Sequence, residues 1–220
     1  MGEESRSLSE LAAMRREYAR TGLFEADLDP GWLTQFARWL GDATDAQLPE
    51  PNAMVLATAD AAGRPSARTV LLKGLDERGL VFFTNLESRK ARELAANPYA
   101  SAVFPWHPIG RQVIVCGEVS PVERAETDRY FATRPRNAQL GAWASPQSRV
   151  VSDRAALDEL LAAADDRFPD GTEVTTPPHW GGLLLAPETV EFWQGREGRL
   201  HDRLRYRRES GRWAIERLAP

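Results

Sequence analysis

The sequence predicts an α+β protein built on an antiparallel β-sheet, closed or split as a barrel, with flanking helices. Three observations carry that reading. From residue 53 onward, short apolar runs alternate with glycine-containing turns, the pattern of an antiparallel meander. Helix-like segments punctuate these runs without the regular alternation of a parallel βαβ sheet. No Gly-x-Gly-x-x-Gly follows a strand, which argues against a Rossmann dinucleotide site. The 220 residues are 42% hydrophobic and 27% charged, with prolines and glycines scattered. That suits one domain, 1–220, with a substantial core and no linker.

The elements follow in order. Ser7-Leu-Ser-Glu10 matches a capping box, and Leu8, Leu11 and Met14 repeat with helical spacing. This predicts a helix to about Thr21, with Arg15, Arg16 and Tyr18 on its other side. Pro30 stands where a second helix begins, and Trp32, Phe36, Trp39 and Leu40 form its apolar face. Strands are expected at 53–58, 68–73 and 80–84, with turns at 60–63 and 76–79. Ser88 caps a helix carrying Arg89, Lys90 and Arg92. Strands resume at 100–104 and 112–118, and helices at 123–133 and 153–167. Four strands then end the chain, at 182–186, 189–194, 203–208 and 213–217.

A net charge of −4 disfavours a general nucleic-acid binder, which needs many Lys and Arg contacts to phosphate. Basic residues nevertheless gather locally, which suits small anionic ligands; solvated helix faces are the alternative. Cys116 is the only cysteine, and the three histidines show no zinc-ligand spacing, so no metal is expected. No signal peptide or membrane-length apolar run is seen, which makes the cytoplasm the expected address and a membrane partner unexpected.

Several segments could carry chemistry. In Arg68-Thr-Val-Leu-Leu-Lys73, alternation places Arg68 on one face of a strand and Lys73 on the other. Each charge calls for a partner or an anionic ligand; a surface edge strand is the alternative. At Ser88-Arg89-Lys90, two cations in the first turn of a helix oppose its dipole, a conflict that a bound phosphate would relieve. The amides of Gln112 and Gln147, the latter followed by Ser148, suit the N–C=O edges of a planar ring, though isolated glutamines are commonly just solvated. Arg199, His201 and Arg203 share a face if that segment is extended, and an imidazole beside guanidiniums could bind a polar ring and move a proton. A charged surface hairpin is the alternative there.

Taken in register, these segments resemble the pyridoxamine 5'-phosphate oxidase family nearly end to end. The markers run from Arg15-Arg-Glu-Tyr18 through Arg68–Lys73, Phe83-Thr-Asn85, Ser88-Arg-Lys90, Arg111-Gln-Val113, Tyr130-Phe with Arg134-Pro-Arg136, Gln139-Leu-Gly-Ala-Trp143, Gln147-Ser148, Trp180-Gly-Gly182, Glu191-Phe-Trp-Gln-Gly195 and Arg199-Leu-His-Asp-Arg203 to Glu216-Arg-Leu-Ala-Pro220. The resemblance implies a split-barrel homodimer that binds FMN in clefts at the dimer interface. It implies oxidation of pyridoxamine 5'-phosphate or pyridoxine 5'-phosphate by O2, giving pyridoxal 5'-phosphate and hydrogen peroxide. By the same resemblance, Arg68, Arg89, Lys90, Gln147 and Ser148 hold the FMN phosphate and tail. Thr69, Val70, Leu71, Leu72, Lys73, Phe83 and Thr84 line the cofactor, and Gln112, Trp193 and Arg203 contact the flavin. Lys73, Tyr130 and Arg134 grip the substrate phosphate, with Ala138 beside them. Arg199, Leu200 and His201 sit over the pyridine ring, Arg199 and His201 as the catalytic pair, and Arg15, Arg16, Glu17 and Tyr18 cover the site within a helical segment 1–50.

Two departures stand out. Ala138 replaces a frequent family serine, and Phe83 stands where some members carry tyrosine. The rival readings are a split-barrel flavin oxidase for another ring such as a phenazine precursor, a flavin carrier without turnover, and an anion-binding module.

Overall fold

The computed structural model describes Tyr18 and residues 22–220. The helix expected up to Thr21, and with it Arg15, Arg16 and Glu17, lies outside the described residues.

The first described helix, α1 (Trp32–Asp45), has Gly31 as N-cap, so Pro30 precedes the helix and its missing N–H breaks no helical bond. Trp32, Phe36, Trp39 and Ala43 are buried along one stripe. Phe36 meets Phe104 edge-on at 4.9 Å, and Trp39 meets Phe192 in the same way at 5.1 Å. This helix thereby closes the main core against the inner face of the sheet. Truncating one such aromatic to Ala costs about 3–5 kcal/mol.

The sheet is antiparallel throughout: β1 (Ala53–Ala59), β2 (Pro65–Leu71), β3 (Gly74–Asp76), β4 (Gly79–Asn85), β5 (Tyr99–Phe104), β6 (Arg111–Pro121), β7 (Trp180–Gln194), β8 (Asp202–Glu209) and β9 (Arg212–Leu218). The spatial order is β2-β1-β5-β6-β7-β4-β3, with β8 and β9 branching from β7. The branch explains the shape. The first half of β7 pairs with β4, Leu80 opposite Leu185 and Asn85 opposite Trp180, while its second half pairs with β8, Thr189 opposite Arg207 and Gln194 opposite Asp202. Strands β4 and β8 therefore leave β7 in succession, and the sheet splits between them. The change of partner coincides with a register shift in β6 between Cys116 and Gly117. Gly117 is required there, because a Cβ would stand 1.9 Å from the Ala186 carbonyl oxygen.

Burial alternates along β1 and β5, as a half-buried sheet requires. Strand β4 is buried almost throughout, with Leu80 and Phe82 in the main core and Phe83 stacked on Tyr130. The other α-helices among the described residues are α2 (Arg89–Ala96), α3 (Arg124–Ala132), α4 (Arg136–Ala144) and α5 (Arg154–Arg167). A smaller core beneath the last three joins Phe131, Leu140, Phe168, Val174 and Trp180.

The expected elements shift in five places. Strand β2 begins at Pro65 rather than 68, because β2 pairs only with β1 and an edge strand tolerates proline. It ends at Leu71: the Leu72 N–H donates to the Asn52 carbonyl, and the Lys73 N–H crosses to that of Val81. That crossing creates the short β3. Helix α4 lies where no element was expected, with Pro135 as its N-cap. The strands expected at 182–186 and 189–194 are one continuous β7. Residues 197–199 are a 3-10 turn with Arg199 at φ 63°, so the condition that the segment be extended fails at Arg199, and the strand begins only at Asp202.

Candidate functional site

The step from β2 to β4 brings two distant stretches of chain side by side and leaves a cleft of about 780 Å³. Its walls are the outer residues of β2, Phe83 and Thr84 of β4, Lys90 of α2, the α3–α4 corner and Gln147. Four cations line it, Arg68, Lys73, Lys90 and Arg134, with no Asp or Glu among the lining residues. A concave surface of one sign is an anion site by construction.

One corner is built on α2. The Ser88 hydroxyl caps the helix by accepting from the Ala91 N–H. Lys90, 7% exposed, sends its ammonium to three neutral acceptors: Gln147 Oε1 at 2.7 Å, Thr84 Oγ1 at 2.9 Å and Ser88 Oγ at 3.3 Å. Among the described residues it has no carboxylate partner. Burial, and then the positive charge of Arg68, lower its pKa to about 8. Arg68 and Arg89, by contrast, both reach the carboxylate of Glu93, at 3.3 and 2.7 Å. Of the two strand cations expected to need a partner or a ligand, Arg68 has Glu93 and Lys73 has no ion pair among the described residues, and Lys90 on the helix lacks one as well.

The other corner is aromatic. Phe83 stacks on Tyr130 with centroids 4.0 Å apart and on Trp180 at 5.4 Å. The Arg134 guanidinium lies 4.6 Å over the Trp180 ring. Its Nη1 is buried with no hydrogen-bond partner among the described residues, and burial lowers its pKa. A buried donor left unsatisfied costs about 1–3 kcal/mol, and more when charged. An anion in the cleft would satisfy it. Ala138 lines the same corner.

The remaining expected residues lie elsewhere. Leu72 turns into the main core. Arg89 and Ser148 flank the cleft without lining it, Ser148 at φ 70°. Gln112 and Trp193 are opposite one another on β6 and β7. Tyr18, Trp193 and His201 form one aromatic cluster, with Tyr18 edge-on to both rings at 5.5 and 5.7 Å. Gly195 makes that seat possible, since a Cβ there would stand 2.4 Å from Tyr18 Cγ. The Arg196 N–H donates to His201 Nδ1 at 3.0 Å, so the neutral imidazole carries its proton on Nε2. Arg203 is locked in a two-bond pair with Glu191 at 2.7 and 3.0 Å. Asp202, 8% exposed, accepts from the Leu23 N–H, Arg196 and Arg217. Burial raises its carboxyl pKa, and these donors outweigh that and lower it overall. Arg199 and Leu200 are exposed, and Arg199 makes no ion pair among the described residues.

Sequence reasoning missed Thr133 and Pro135 in the wall, Trp180 as the platform under Arg134, and Glu93 between two arginines. Only Glu93 left a local signal, its i,i+4 spacing from Arg89.

Comparison with known proteins agrees with this geometry. A family model described as pyridoxamine 5'-phosphate oxidase matches residues 40–160. A second, the pyridoxine 5'-phosphate oxidase C-terminal dimerisation region, matches residues 180–220. A pyridoxine/pyridoxamine 5'-phosphate oxidase of Salinispora arenicola is 59% identical over 95% of this chain and 96% of its own. One of Salinibacter ruber is 54% identical over 97% and 100%. The crystal structure of PhzG from Burkholderia lata 383, in complex with tetrahydrophenazine-1-carboxylic acid, superposes with a TM-score of 0.85 at 35% identity, covering 91% of this chain and 99% of that one. A pyridoxamine 5'-phosphate oxidase-related, FMN binding protein from Nostoc punctiforme shares the fold at a TM-score of 0.69 and 22% identity, over 88% and 100%. The divided sheet is thus a split barrel, and the chain belongs to the pyridoxamine 5'-phosphate oxidase family.

Proposed function

We propose that this protein oxidises pyridoxamine 5'-phosphate or pyridoxine 5'-phosphate to pyridoxal 5'-phosphate, using bound FMN and O2, as a homodimer. The observation that carries the reading is the carboxylate-free cleft with two cations that lack a carboxylate partner among the described residues, buried Lys90 and half-buried Arg134, whose Nη1 is buried and unpartnered. Both FMN and the substrate bear a phosphate, and the two corners offer one seat to each.

Lys90, Arg68 and Arg89, with Gln147 and Ser148, would hold the FMN phosphate. Thr69, Val70, Leu71, Lys73, Phe83 and Thr84 would lie along the cofactor. Lys73, Tyr130 and Arg134 would grip the substrate phosphate. The chemistry supplied by bound FMN is acceptance of a hydride equivalent from the substrate's C4' carbon and its passage to O2 as hydrogen peroxide, with ammonia released by hydrolysis when the substrate is the amine.

Gln112, Trp193, Arg199, His201 and Arg203 do not line this cleft. Strand β7 carries Trp180 at one end and Trp193 near the other, and thirteen steps of about 3.3 Å place them on the order of 40 Å apart along the strand. A small substrate gripped by Arg134 would meet His201 of a second copy, supplied through the C-terminal dimerisation region. There Arg199 and His201 would position the pyridine ring, with the Nε2 proton of His201 available as a donor. Gln112, Trp193 and Arg203 would contact the flavin, with Arg203 oriented by Glu191. Tyr18, docked on Trp193 and His201, would help exclude water.

The test is the visible spectrum of FMN-loaded protein mixed anaerobically with pyridoxine 5'-phosphate. Bleaching of the flavin band is expected. A bound flavin that stays oxidised would overturn the substrate, and failure to bind FMN would overturn the cofactor.

A further inference from the structure

Glu93 is a buried carboxylate on the inner side of α2, 6% exposed, and none of its atoms lines the cleft. One oxygen, Oε1, accepts from Arg89 Nε at 2.7 Å. The other, Oε2, accepts from Thr58 Oγ1 at 2.5 Å and Ser66 Oγ at 2.6 Å, and meets Arg68 Nη2 at 3.3 Å. Burial alone would raise its pKa, but the hydrogen bonds from Ser66, Thr58 and Arg89 outweigh that and hold it at about 2. It is a fixed negative charge at any ordinary pH.

The donors gathered on Glu93 come from three elements. Thr58 is on β1, Ser66 and Arg68 are on β2, and Arg89 opens α2. The same hydroxyls also hold Arg68, which donates to Thr58 Oγ1 at 2.5 Å and to Ser66 Oγ. Arg89 spends only its Nε–H on Glu93, leaving both Nη groups without a partner among the described residues. Without Glu93, Arg89 would lose its anchor, Arg68 would keep only neutral acceptors, and the negative charge that offsets the repulsion between Arg68 and the Lys90 ammonium would be gone.

We propose that Glu93 is a positioning residue for the cofactor's phosphate, holding Arg68 and Arg89 in the orientation in which the phosphate finds them. The proposal rests on the FMN reading above. It differs from a plain structural tie in being specific to the phosphate, because of the groups Glu93 holds only the two arginines carry a charge that a phosphate would meet. An amide at this position puts an NH2 donor against either Arg89 or the Thr58–Ser66–Arg68 group, so one side of the arrangement is lost.

The experiment measures the dissociation constants of FMN and of riboflavin, which lacks the phosphate, by quenching of flavin fluorescence on the full-length apoprotein. Glu93→Gln is expected to weaken FMN at least tenfold while riboflavin changes less than twofold. Ser66→Ala, which removes one donor to Glu93 and one acceptor of Arg68, should weaken FMN about threefold, again without affecting riboflavin. It decides the question if the glutamine variant does not fold. FMN and riboflavin weakening in parallel would reduce Glu93 to a structural tie and overturn the proposal. So would FMN affinity that is unchanged or improved. Wild-type protein that binds neither flavin would instead overturn the FMN reading itself.

Discussion

At the β2–β4 cleft, buried Lys90 and half-buried Arg134, with its Nη1 withdrawn from water, have no carboxylate partner among the described residues. At the β7–β8 end three arginines are paired: Arg203 with Glu191, Arg196 with Asp202, and Arg217 with both Asp202 and Glu25. The difference separates two uses of charge. A buried charge without a counter-ion is unfavourable until a ligand arrives, so it marks a place kept for an anion. A charge already paired has little left to offer a ligand, but it holds its neighbours still. Asp202 does this for His201 through Arg196, whose side chain it grips and whose N–H sets the imidazole tautomer.

The comparison would break if removing a paired group were harmless. Asp202→Ala leaves Arg196 and Arg217 without their shared partner and the Leu23 N–H without its acceptor, and should destabilise the fold by about 1–3 kcal/mol, read as a lowered denaturation midpoint. Little change would mean that the pairs are surface decoration. At the other end the effect should fall on function alone. Arg134→Met should lower kcat/KM by about 1.5–3 kcal/mol, roughly tenfold to a hundredfold, with FMN affinity intact. Its thermal stability should hold or rise, because the orphaned Nη1 is gone; a clear loss would show that Arg134 is structural.

Lys90 sharpens the contrast through pH. Folding lowers its pKa from 10.5 to about 8, so between those values the unfolded chain holds more protons and the stability of the apoprotein rises with pH. Below 8 the cost of burying the charge is present in full. Phosphate binding runs the opposite way: FMN affinity should fall by up to tenfold per pH unit above 8 as the ammonium is lost. Lys90→Met should flatten both trends, and opposed slopes that survive in that variant would assign them to another group. The smallest effect is expected from Ala138→Ser, which adds one hydroxyl to the corner beside Arg134. A gain of about 0.5–1.5 kcal/mol in substrate affinity should appear as a lower KM.

How much of this was legible in the sequence depended on how local the signal was. Ser88 followed by Arg89 and Lys90 announced both a helix start and a charge conflict within three residues, and both are present. Pro30 and the stripe that follows it likewise placed the start of α1 within two residues. Trp180 beneath Arg134 and the meeting of Lys90 with Gln147 arise only when β4, α2 and the α3–α4 corner pack together, and no short window contains them. The branch in β7 was read as two strands because Pro187 interrupts the apolar run, whereas what changes there is the partner and not the strand. The Arg199 turn was missed because a left-handed residue other than glycine leaves no mark in the pattern of hydrophobicity.

The length of β7 has a genetic consequence. If one strand contributes to one end of each of two sites, then a chain damaged at Arg134 and a chain damaged at His201 are not defective in the same place. Mixed in one dimer, they would assemble one site carrying both lesions and one carrying neither. Two inactive alleles of this protein, expressed together in equal amounts, would thus restore roughly a quarter of full activity, since about half of random pairs are mixed and each has one sound site of two.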